Sequence, residues 1–249
     1  ERALEAGRIY MALLIVGGLG RVVPVHDGWP VSLALIGGLL ALSVYALGWI
    51  LIPAFAPPQP LDQAEIASIP NPLEAVFHGN GGESAPVAYL RGYQVAPTDI
   101  LPGDVVEVTL YWQPTARTER EHVVFVHLLS ESGVMIAQRD TYPGLGRLPT
   151  TAWEPGVVIA DTYRVHVPET AYAPDRGHVQ VGLYTEDGPR LTTEGGERAL
   201  VLTPIQIQPH PGDVPNPISV NFSDRLELIG YRLDDRAPLP GETVGLTLY

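Results

Sequence analysis

The chain contains part of itself twice, and no other feature constrains its fold as much. The stretch "GYQVAPTDILPGDVVEVTLYW", starting at Gly92, returns as "GYRLDDRAPLPGETVGLTLY" from Gly230 to Tyr249. Leu90, Pro102, Gly103, Thr109 and Leu110 recur at one constant offset as Leu228, Pro240, Gly241, Thr247 and Leu248. A second match, at a slightly larger offset, aligns Pro70-Asn71-Pro72 with Pro215-Asn216-Pro217 and Phe77 with Phe222. The first copy therefore carries an insertion, assigned to the Gly-rich "HGNGGES". One complete module and the opening strands of a second are expected. On this reading the chain is a fragment of something longer, and its first residue, Glu1, is also a cut.

The module itself is written in period two. "VAYLRGYQV", "DVVEVTLYW", "HVVFVHLL", "VMIAQRD", "VVIADTYRVHV", "HVQVGLYTE" and "ALVLTPIQIQ" are short β-branched and aromatic runs. Turns rich in Gly, Pro and Asp separate them, and the chain holds 26 Gly and 25 Pro. Alternation places one side of each strand in a core, and this many short strands at this spacing predict an antiparallel, immunoglobulin-like β-sandwich over 73–208. Residues 209–249 then form a linker and the incomplete second copy.

Ahead of the module the pattern is different. No charged residue lies between Gly28 and Leu61. Within that stretch "PVSLALIGGLLALSVYALGW", Pro30 to Trp49, would measure about 30 Å as a helix, the thickness of a hydrocarbon core. Trp29 and Trp49 bracket it as interfacial aromatics would. The preceding "IYMALLIVGGLGRVVPV", Ile9 to Val25, is shorter and carries Arg21, which can snorkel to headgroups. Residues 1–56 are thus expected to be two transmembrane helices, 9–25 and 30–52. Arg21 beside the short "HDGW" turn puts that turn in the cytoplasm and the sandwich outside the cell membrane. A Pro-rich linker, 57–72, follows, with a helical turn opened by Asp62 and Glu65 at capping-box spacing.

Charge and composition remove whole function classes. Formal net charge is −13 with no Lys at all, so nucleic acid is not an expected partner. Without Cys there is no thiol nucleophile, disulfide or thiolate metal site. No spaced ligand cluster, nucleophile elbow, HExxH helix or phosphate loop occurs, so no catalytic residue, cofactor or metal is assigned. The turn in "GLYTEDGPRL", with Glu186, Asp187 and Gly188, has too few oxygen ligands for calcium and reads as a hairpin.

The segment "QRDTYPGLGRLPTTAWEPG", Gln138 to Gly156, holds the candidate glycan contacts Arg139, Asp140, Tyr142, Arg147 and Trp153. Aromatic faces stack on pyranose C–H surfaces, and planar polar groups match paired hydroxyls. The competing reading makes Tyr142 and Trp153 plugs of one sandwich end, with Arg and Asp fastening the loop. The plug is expected for Trp153, and Arg147 is left open between the two. His127 shares a strand face with Val123, Phe125 and Leu129, and is expected to be a core histidine bonded to Asp140 or a carbonyl.

The succession "GYQV…LPGDVVEVTLYW…FVHLL…AQRDTYPGLGRLPT…VGLYTEDGPRL", with Gly7-Arg8-Ile9-Tyr10 and "IPNP" ahead of it, resembles a known arrangement. It is similar to the C-terminal region of bacterial membrane glycosyltransferases of the dolichyl-phosphate-mannose protein-mannosyltransferase-like type, family 39. The resemblance spans nearly the whole chain. It implies last membrane helices followed by extracytoplasmic sandwiches, in a protein that transfers sugar from a polyprenyl-phosphate donor. The acidic residues credited with that chemistry belong to a first extracytoplasmic loop that no position here matches. The expected function is a non-catalytic, membrane-anchored tail of such a transferase. Its expected partners are the lipid bilayer, envelope glycans and the upstream transmembrane catalytic region. The alternative is a stand-alone anchored adhesion or carbohydrate-binding protein.

Overall fold

The computed structural model describes residues 29–79, 86–212, 214–236 and 238–249. It divides into two compact units, Glu1–Pro57 and Pro58–Tyr249.

In the first unit, helix α1 spans Trp29–Ala46, a π-helical segment Leu47–Leu51 follows, and α2 spans Ile52–Phe55. The expected span 9–25 lies outside the described residues. The expected uninterrupted helix over 30–52 is corrected: among the described residues no helix is long and apolar enough to cross a membrane. The sequence explains the break. Pro53 has no N–H to give Trp49, four residues back, so the α-helical ladder cannot continue through it. The π register, in which the Ile52 N–H donates to the Leu47 carbonyl, sits immediately before that proline. Large apolar side chains along this run, among them Ile36, Leu40, Val44, Trp49 and Phe55, are exposed.

The second unit begins inside the Pro-rich stretch. Leu61 N donates to Val158 O at 2.8 Å, and Pro60 makes an isolated antiparallel bridge with Ile159. Part of the expected spacer is thus laid along the sandwich. Helix α3, Gln63–Ala67, opens with the expected capping box: Asp62 accepts from Glu65 N and Glu65 from Asp62 N, each at 2.8 Å.

Ten strands then build two sheets. They are β1 Pro72–His78, β2 Pro86–Ala96, β3 Asp99–Ile100, β4 Val105–Pro114, β5 Val123–Ser130, β6 Met135–Thr141, β7 Ile159–His166, β8 Asp175–Tyr184, β9 Thr192–Thr193 and β10 Leu200–Ile207. One sheet runs β7-β4-β2-β1-β9 and the other β3-β10-β8-β5-β6. Pairing is antiparallel except for β3 on β10. Period-two alternation does the sorting: Val106, Val108, Leu110 and Trp112 of β4 are buried, as are Tyr163 and Val165 of β7. Each such aliphatic side chain contributes about 1.5–3 kcal/mol by leaving water. The expected β-sandwich is the observed architecture.

Strand β5 needs a correction. Its core-facing residues are Val124, Val126 and Leu128, which join the central cluster, whereas Phe125 does not. His127 and Phe125 therefore lie on the opposite, outer face. Both are buried all the same: the Arg190 guanidinium lies 4.1 Å above the Phe125 ring, and the His127 ring packs 4.8 Å from that of Phe125 with its Nε2 on Asp140. Both faces of β5 are apolar in sequence because both are covered, so alternation alone could not say which was the inner one.

A third sheet, β11 Pro217–Asn221, β12 Glu227–Leu233 and β13 Leu246–Leu248, repeats β1, β2 and β4 in pairing order and register. Its apolar residues stand open: Phe222 is 52% exposed where Phe77 is buried, and Leu246 and Leu248 are 56% and 59% exposed where Val108 and Leu110 are buried.

Candidate functional site

The loop after β6 is held from beneath by a carboxylate that the sequence reading passed over. Asp161 in β7 is 2% exposed on an otherwise apolar strand face, between Ile159 and Tyr163. Its Oδ2 accepts from the Gly144 N–H at 2.8 Å and from the Tyr163 hydroxyl. Burial raises its pKa above the ordinary aspartate value, while the Tyr163 hydroxyl, the Gly144 N–H and the Arg147 charge oppose the rise. The same burial, with Asp161 beside it, pushes the Tyr163 hydroxyl well up. The signal was present in "VVIADTYRVHV" as one acid in register with apolar residues.

Around this anchor the five expected residues separate. Trp153 is a plug: it is 4% exposed, lies 6.2 Å from the Trp112 ring, and donates its indole N–H to Leu148 O at 3.1 Å. It also walls an apolar cleft of about 160 Å³ together with Pro58, Pro60, Leu148 and Ile159. Arg147 bends back on its own turn, Nε donating to Gly144 O at 2.7 Å. The buried carboxylate it helps to neutralise is Asp161, not Asp140. A second polar tie closes the far side, where Thr150 Oγ1 accepts from His122 N at 2.9 Å and donates to Arg120 O at 3.0 Å.

Asp140 and Tyr142 go elsewhere, to the outer face of the second sheet. Asp140 Oδ1 lies 2.9 Å from His127 Nε2, as expected, and Oδ2 accepts from the Tyr184 hydroxyl at 3.2 Å. The Tyr142 hydroxyl donates to Glu186 Oε1 at 2.8 Å, and that bond raises its pKa to about 12. Tyr184 is raised as well, by burial and then by Asp140. Tyr184 and Glu186 were not expected here. They arrive because β8 pairs with β5, and β5 with β6, which sets the end of β8 and its hairpin beside the end of β6. Arg139 is exposed and, next to Asp140 on edge strand β6, points to the opposite face.

The result is a partly exposed patch of two tyrosines and two carboxylates over a buried histidine. It can stack an apolar ring face and accept from hydroxyl groups. Among the described residues no group of three or more His, Asp or Glu is placed to hold a metal ion.

No protein-family model matches the sequence, and no curated protein matches it. Among solved structures, one similar chain is a β-glucuronidase from glycoside hydrolase family 2, at 13% identity and a TM-score of 0.32. The match covers 47% of this chain and 11% of that one, so the chain spans about a tenth of that enzyme's length. Another is the C-terminal domain of Wzt, at 11% identity and a TM-score of 0.35, covering 59% of this chain and 86% of that domain. Neither likeness bears on function.

Proposed function

We propose that the sandwich is a non-catalytic, immunoglobulin-like module that contacts glycans through the Asp140–Tyr142–Tyr184–Glu186 patch. The patch is the observation that carries the reading. It gathers aromatic surface and carboxylate acceptors from two segments, 140–142 and 184–186, the combination that binds sugar hydroxyls and C–H faces. Trp153 and Arg147, spent on fastening the loop, have no part in it.

On the same reading the module is the extracytoplasmic tail of a lipid-linked-sugar glycosyltransferase, held at the cell membrane. The helical run from Trp29 to Phe55 supports this. It carries no charged residue and exposes large apolar side chains. The third sheet then corresponds to opening strands of a second sandwich. Its open Phe222, Leu246 and Leu248 occupy the positions of core residues in the first.

Binding of the detergent-solubilised chain to an array of bacterial envelope oligosaccharides tests the module. Retention that falls at least tenfold in Tyr184→Ala and Asp140→Ala, but not in Arg147→Ala, supports it. Retention unchanged by the first two, or absent in the unmodified chain, rejects it. The transferase reading has a separate check in the coding sequence ahead of Glu1, where further hydrophobic spans and an acidic pair in the first outer loop are expected.

A further inference from the structure

The two copies of the "PNP…GY" motif build the same corner twice. Asn71 and Asn216 both take left-handed backbone, with φ of 45° and 46°. Each donates its side-chain Nδ2 to the carbonyl of the motif tyrosine: Asn71 to Tyr93 O at 3.2 Å and Asn216 to Tyr231 O at 2.8 Å. Pro72 pairs with Gly92 as Pro217 pairs with Gly230. The glycine is dictated in both, because a Cβ would stand 2.4 Å from Ile69 Cγ2 in one and 2.2 Å from Val214 Cγ1 in the other.

In the second copy this corner is occupied. Asn216 Oδ1 accepts from Ala173 N at 2.8 Å, and its Nδ2 also donates to Ala173 O at 3.0 Å. The Tyr172 hydroxyl reciprocates, donating to Leu233 O at 2.9 Å and accepting from Leu233 N at 2.7 Å. One side chain from each partner thus reads both backbone groups of a residue in the other. Arg236 completes the joint, 4.3 Å above the Tyr172 ring and paired with Asp175.

Among the described residues, the corner in the first copy stands open. Asn71 is exposed, where Asn216 is half-buried by the Ala173 turn. Val95 holds the place of Leu233. It follows Tyr93 by two residues, so its backbone groups point the way the Tyr93 N–H points, towards Asn71 and away from β4. Thr98 stands where Arg236 stands, so this corner lacks the charge pair and the cation–π contact and is the weaker of the two.

We propose that the Asn71–Tyr93–Val95 corner is a second seat for the Tyr172–Ala173 turn, filled by the turn of another copy of this chain when that copy's Asn216 releases it. The contact is head-to-tail, with different surfaces on the two partners, and can extend beyond a dimer.

Sedimentation of the full chain in non-ionic detergent, as a function of concentration, tests this. Asn216→Ala removes both hydrogen bonds to Ala173 and loosens the turn, and its apparent mass should rise towards twice that of the unmodified chain and beyond. Adding Asn71→Ala to Asn216→Ala should return it to the unmodified value. The double variant separates the seat from unspecific association through the open third sheet, which both variants expose equally. The chain has no cysteine, so a mixture of Asn71→Cys with Ala173→Cys/Asn216→Ala should yield a mixed disulfide under mild oxidation. The proposal is overturned if Asn216→Ala keeps the unmodified mass throughout, if the double variant associates as strongly as the single one, or if no mixed disulfide forms.

Discussion

Replacing Trp153 by alanine measures whether the loop after β6 is part of the core or laid upon it. Burying and then truncating a large aromatic side chain costs about 3–5 kcal/mol in a sealed core. Three features set the value here. The indole is 4% exposed and packs on Trp112, which itself meets Phe77 edge-on at 5.6 Å, so the loss reaches the centre of the sandwich. The bond from Nε1 to Leu148 O is lost too, at about 1 kcal/mol for a neutral pair. Against these, Trp153 already borders the cleft beside Pro58 and Pro60, so water can enter the enlarged space and the residual cavity is not sealed. The lower part of the range applies, about 3 kcal/mol, which at about 2–4 °C per kcal/mol for a unit of this size lowers Tm by roughly 6–12 °C. Thermal melts followed by far-ultraviolet circular dichroism check it, with Trp153→Phe as a control that should lose less than half as much. A melt of Trp153→Ala within about a degree of the unmodified protein would refute the plug and return Trp153 to the glycan-contact candidates.

Two further perturbations probe the buried Asp161 and the Gly92 corner. The folded state raises the Asp161 pKa, so it holds that proton more tightly than the unfolded chain does. Stability should therefore fall as pH climbs from the ordinary aspartate value through the raised one, and Asp161→Asn should flatten that decline in denaturant titrations; parallel profiles for the two proteins would contradict it. Gly92→Ala sets a methyl 2.4 Å from Ile69 Cγ2 and 3.0 Å from Asn71 O, where the backbone cannot retreat. It should cost about 1–3 kcal/mol by chemical denaturation, as overpacking does, and an unchanged midpoint would show that the corner is pliable.

Period two and the turn residues fixed much of this molecule in advance. The strands β2, β4, β7 and β8 lie where alternation put them, because a residue's neighbours at i±2 share its face whatever the rest of the chain does. The capping box at Asp62 and Glu65 is equally local, closed within one turn. The internal repeat was legible too, down to the asparagine and glycine that form its corner, since identical local sequence met identical local strand pairing.

What the sequence could not decide was everything that depends on a neighbour arriving from far along the chain. Of the two partners expected for His127, Asp140 or a carbonyl, the fold selects Asp140, but on the outer face of β5 and not the core face, because the Arg190 that covers neighbouring Phe125 comes from a distant hairpin. Tyr142 and Trp153 lie in one loop and look alike as candidates. Strand order sends one to the patch with Glu186 and the other to the core against Trp112. The helical run before the sandwich read as one span, yet Pro53 removes a donor whose loss is taken up by a change of hydrogen-bond register. Local pattern determines which side of a strand is apolar, whereas only the packed sheets determine which apolar side becomes the interior. That is decided by the summed burial of many strands together, a quantity no single stretch of sequence contains.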